Sequence, residues 1–98
     1  MISRENFIFT IGYDGNTAIV DEISKRKYSR LSTEELTEKG LFKAALSSAL
    51  YEGDSQGLGR VLESYNQSAD RRLESVEHLK RTFGVFEVPE GISKIMLC

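Results

Sequence analysis

The stretch "NFIFTIGYDGNTAIVDE" at residues 6–22 constrains the fold more than any other part of the chain. Phe7, Phe9, Ile11 and Tyr13 alternate with Ile8, Thr10 and Gly12, a period-2 pattern rich in strand-favouring residue types. Asp14-Gly15 is a preferred two-residue hairpin loop, because both residues tolerate positive φ. That loop sets Ile11 opposite Ala18 and Phe9 opposite Val20. Taking Gly15-Asn16 as the loop moves each partner by two residues and keeps the faces. Either way the expected inward set is Phe7, Phe9, Ile11, Ala18 and Val20.

Beyond residue 22 the pattern changes. "DEISKRKYSR" is charged and reads as a connector. Ser32 and Glu35 have the spacing of a capping box, and Gly40 supplies a left-handed stop, so a short helix is expected over about 33–39. "LFKAALSSALYEG" (41–53) carries apolar residues at helical spacing and ends on Gly53. Asp54 can cap a third helix with Leu58, Val61, Leu62 and Tyr65 on one stripe. Gly57 and Gly59 lie in its first turns and each cost ~1 kcal/mol against alanine, so that helix is expected to begin late. "NQSADRR" (66–72) reads as a loop. "SVEHLKRTFG" (75–84) reads as a helix capped by Ser75, ended by Gly84, with Leu79 and Phe83 inward. The tail has two apolar runs, "VFEV" and "ISKIML", both expected as strands.

The expected architecture is therefore α+β in a single domain, residues 1–98. An N-terminal β-hairpin and C-terminal strand or strands form a small, mainly antiparallel sheet, with three to four helices between them packed on one face. At 98 residues, one modest core is all that the surface-to-volume ratio allows.

Composition narrows the function classes. Fifteen acids against 13 bases give a net charge of −2, so no global field draws nucleic acid or an anionic membrane. No apolar run approaches the ~20 residues of a spanning helix, and the single cysteine, Cys98, fits a reducing compartment. The expectation is a soluble cytoplasmic protein with no membrane association and no cofactor.

The inventory for catalysis is thin. His78 is the only histidine and falls on a polar helix face, while Cys98 lacks a neighbouring base. Asp14, Asn16, Asp21 and Glu22 lie in or beside the hairpin. Asp14 and Asn16 match the opening of a calcium-loop spacing, but Ala18 and Ile19 break it. "GDSQGLGR" (53–60) lacks the lysine of a P-loop and reads as a helix junction.

The one stretch suited to a partner is the basic run Lys25, Arg26, Lys27, Tyr28 and Arg30. Its cations fit phosphates or an acidic protein surface, and its ring fits an unpaired base. Arg71, Arg72, Lys80 and Arg81 would extend it only if the fold brought them alongside. Tyr13, Tyr28 and Tyr51 stand at element ends, where exposed aromatics mark interfaces.

The preferred reading is a small non-catalytic protein acting through a protein–protein interface, a homodimer among its forms, with an unknown protein or a second copy as partner. The first alternative is a nucleic-acid accessory protein using residues 25–30. The second is an enzyme using carboxylates near the hairpin turn, such as Asp14 and Asp21.

Overall fold

A computed structural model describes residues 1–98. Its element order is α1 (Arg4–Ile8), β1 (Thr10–Asp14), β2 (Thr17–Val20), α2 (Glu22–Tyr28), α3 (Thr33–Glu38), α4 (Phe42–Glu52), α5 (Ser55–Ala69), α6 (Val76–Phe83) and β3 (Lys94–Leu97). The fold is α+β, with six helices and one three-stranded sheet. The chain divides into two compact units, Met1–Arg30 with Val88–Cys98, and Leu31–Glu87.

The first unit holds the sheet, in the order β1-β2-β3. β1 and β2 form the hairpin, with Gly15-Asn16 as the loop and Asp14 opposite Thr17. Gly15 has φ +59° and Asn16 does not adopt positive φ, which suits glycine at the first loop position. The pair register shifts between Thr10 and Gly12. Ile11 is the extra residue of this bulge, and it is turned out of the expected inward set to 59% exposure. Ala18 and Val20 are fully buried, as their alternation requires.

Phe7 and Phe9 are buried but not in a strand. Ser3 Oγ accepts from the Asn6 N–H and starts α1, which carries Phe7 inward; Phe9 is its C-cap. α1 packs on β2 and α2. Four alternating residues are too few to separate a strand from one helical turn, and the cap decides it.

β3 pairs with β2 in parallel, setting Ala18 beside Ile95 and Val20 beside Leu97. The sheet is thus mixed, with one antiparallel and one parallel pair. Asn16 begins the parallel ladder: its carbonyl accepts from Ser93 N (2.9 Å) and Lys94 N (3.2 Å), and its Nδ2 donates to Ser93 Oγ at 2.7 Å. "VFEV" forms no strand. The Val85 N–H instead closes the end of α6 on the Lys80 carbonyl, and Val85 is buried.

The second unit is built from α3, α4, α5 and α6. α3 has the full capping box, with Glu35 N donating to Ser32 Oγ and Ser32 N to Glu35 Oε1, both 3.1 Å. α3, α4 and α6 all end the same way. Gly40, Gly53 and Gly84 take left-handed φ of 76°, 65° and 67°, and the next residue's N–H reaches back to Leu36, Ala49 and Lys80 respectively.

α5 departs from expectation at both ends. It begins at Ser55 because Asp54 caps it, Oδ1 accepting from the Gly57 N–H at 2.9 Å. A β-carbon at residue 57 would overlap the Asp54 carboxylate, so the glycine makes room for the cap. It then runs to Ala69, through most of the expected loop. Asp70 closes it at φ 51°. Asn66 Nδ2 donates to the Leu73 carbonyl and the Leu73 N–H donates to Asn66 Oδ1, both 3.0 Å.

The core of this unit gathers Leu36, Ala45, Leu46, Ala49, Val61 and Leu79, all fully buried. Tyr65 joins three helices, meeting Phe42 of α4 edge-on at 5.4 Å and Phe83 of α6 at 5.3 Å. Two polar side chains sit within the packing. Thr33 Oγ1 donates to Glu52 Oε1 at 2.9 Å. Having one proton, it accepts from Ser48 Oγ at 2.7 Å.

Candidate functional site

The basic run is helical rather than a connector. Asp21 is the N-cap of α2, accepting from Ser24 N at 3.2 Å and from Ser24 Oγ at 2.8 Å. The side-chain bond from Ser24, with the backbone bond behind it, holds the Asp21 carboxyl below its ordinary pKa. This carboxylate, a candidate for catalysis in the sequence, is employed as a cap.

Lys25, Arg26 and Lys27 occupy the last turn of α2, where the helix dipole favours cations. Arg26 pairs with Glu22 one turn earlier at 2.7 Å. Arg26, Lys27 and Arg30 are exposed, whereas Lys25 and Tyr28 are only half-exposed. The Arg4 guanidinium, from α1, donates to the Ser29 carbonyl at 3.1 Å. Arg71, Arg72 and Lys80 belong to the other compact unit.

Asp14 lies in the hairpin ladder and Asn16 anchors β3, so both have structural roles. On β1, burial pushes the Tyr13 phenol above its ordinary pKa, partly opposed by a hydrogen bond with Thr10. His78 is exposed. No three His, Cys, Asp or Glu side chains converge as a metal-binding group, and no helix is long and apolar enough to cross a membrane.

Two features escaped the sequence reading. The first is a cavity of about 520 Å³ in the helical unit, whose lining includes Thr37, Glu38, Glu52, Asp54, Arg60 and Glu63. Two of its carboxylates already hold hydrogen bonds, Glu52 from Thr33 and Asp54 from the Gly57 amide.

The second is the open edge of β3. All four residues of this strand are exposed, with Ile95 at 40%, Met96 at 53% and Leu97 at 49%. β3 is the last strand of the sheet order. The Lys94 and Cys98 N–H groups point to β2, donating to Asn16 and Val20, and the Cys98 carbonyl accepts from Glu22 N. By the alternation of a parallel ladder, Ile95 and Leu97 turn their N–H and C=O groups to the outer side. Three consecutive apolar residues, "IML", were the available signal. Their exposure depends on strand order, which local pattern does not carry.

Comparison of the chain with protein-family models, with curated proteins and with solved structures found no match.

Proposed function

We propose that this chain is a non-catalytic interaction protein that docks an extended protein segment on the outer edge of β3. The observation that carries this reading is the combination at residues 95–97 of outward backbone donors and acceptors with exposed Ile, Met and Leu side chains. Such an edge adds a strand through main-chain bonds, and the alternate side chains supply apolar contact. Of the usual edge protections the strand has its short length and one lysine, Lys94, at its start, while residues 95–97 carry neither charge nor proline. The nucleic-acid alternative has less support, because Arg26 is engaged with Glu22 and the Tyr28 ring is half-buried.

The test is a photo-crosslinking residue at Met96, whose backbone faces β2, compared with the same probe in an Ile95→Pro background. Proline at 95 removes an outward N–H, which edge strands tolerate, and leaves the β2 ladder intact. Adducts to protein that vanish with Ile95→Pro are expected. Adducts that are absent, or indifferent to the proline, would overturn the reading.

A further inference from the structure

We infer that the strand seated on β3 is β3 of a second copy, in antiparallel register about a twofold axis at Met96. The inference rests on the edge-docking reading and names its occupant.

The argument begins with which groups face outward. Only Ile95 and Leu97 present main-chain N–H and C=O on the free side, because Lys94 and Cys98 are bonded to β2 and Met96 shares their parity. A twofold at Met96 exchanges residues 95 and 97. Ile95 then faces Leu97 of the other copy as a hydrogen-bonded pair, and the converse pair forms at the other end. Every outward donor and acceptor within β3 is matched by an identical strand. A twofold at Ile95 instead brings Leu97 opposite Ser93, whose N–H is already bound to Asn16. A parallel twofold sets donor against donor. The Met96 register is therefore the one in which the edge complements itself.

Side chains and charge agree with that register. Ile95 and Leu97 share the face of Ala18 and Val20 through their β2 pairing, so the new pairs extend an apolar face. On the opposite face the two Met96 side chains meet at a non-hydrogen-bonded position, where side chains approach most closely. Lys94, the only charged residue of β3, stands across from Cys98 of the other copy. The two lysines fall four residue steps apart along the sheet, about 14 Å at ~3.4 Å per residue, beyond a Debye length of ~10 Å. Like charges do not oppose the pairing.

Three partly exposed side chains per copy fall well short of the ~800 Å² per partner of a stable interface. The dimer therefore belongs to the weak class, filling as concentration rises, and its product is a continuous six-stranded sheet.

The test uses the full chain with Cys98→Ser and a single cysteine placed in turn at Ile95, Met96 or Leu97, oxidised at near-millimolar concentration. Met96→Cys is expected to give disulfide dimer fastest. Its Cα atoms would lie about 4.5 Å apart, inside the ~4.4–6.8 Å range of disulfides. Equal positions at 95 or 97 are offset by two residues, ~7–8 Å or more from each other. Sedimentation of the unmodified chain should show a monomer–dimer equilibrium abolished by Ile95→Pro. Equal crosslinking at all three positions overturns the register. A monomer at every concentration, with no preferred crosslink, overturns the second copy as occupant. The two failures are separable: adducts at Met96 of a mass other than twice the chain leave edge docking standing without self-association.

Discussion

Asn66 holds the backbone of Leu73 at both ends, accepting from its N–H and donating to its carbonyl, each at 3.0 Å. One amide side chain thus does what a neighbouring strand would do, and the reversal after α5 turns about it. Leu73 is buried, at 8% exposure, so its main-chain groups have poor access to water.

Asn66→Ala should cost about 1–3 kcal/mol, since it leaves a buried donor and acceptor unpaired. Urea unfolding measures it. Stability within experimental error of the parent would mean that the segment closes without the amide.

The hydroxyl chain from Ser48 through Thr33 to Glu52 gives a second expectation. Thr33→Val keeps the side-chain shape and removes the relay, with an expected loss of about 0.5–1.5 kcal/mol for the bonds given up, Ser48 Oγ still reaching Glu52 Oε1 at 3.4 Å. Adding Ser48→Ala should cost less than the sum of the singles. A double-mutant cycle reads this coupling, and strict additivity would remove it.

Asp21 links α2 to pH. Its folded pKa lies below the ordinary value, so its contribution is complete above the unfolded carboxylate pKa of about 3.9. That contribution disappears as pH falls through the lower, folded value. Protection of the Ser24 amide should weaken on acidification in the parent. In Asp21→Asn, which retains an acceptor without a charge, the dependence should be flat. An identical pH profile in both would assign the effect to another carboxylate.

Asp70 closes α5 with φ 51°, the one non-glycine residue in that region. Asp70→Gly should stabilise by about 0.5–1 kcal/mol, the relief of a left-handed L-residue less the added freedom of the unfolded chain. Thermal unfolding checks the sign. A destabilised variant would mean that the aspartate side chain contributes more than its backbone strain costs.

Where the fold was legible in the sequence, the signals were local. Ser32 with Glu35, and Gly40, Gly53 and Gly84, each satisfy their own helix end, and a few neighbouring residues suffice to read them. Phe7 and Phe9 misled because alternation over four residues fits a strand, while the Ser3 cap winds Phe7 into α1 and leaves Phe9 as its C-cap. Ile11 misled because nothing local announces a bulge. α2 carries no buried residue, so it lacks the apolar stripe by which helices are recognised. It rests on the Asp21 cap and the Glu22–Arg26 pair. The parallel partnership of β2 and β3 joins residues far apart in sequence, and with it the exposure of Ile95, Met96 and Leu97 lay beyond local reading.

The Asp54 carboxylate stands where a side chain at residue 57 would begin. The side chain at 57 therefore decides where the carboxylate at 54 can rest. A β-carbon at 57 displaces the Asp54 carboxylate from its present place without forbidding the cap, since Ser24, Glu35 and His78 carry β-carbons at the same position beneath the caps of α2, α3 and α6. A larger residue at 57 is thus met by a turn of one short side chain, and the start of α5 can absorb change at that site.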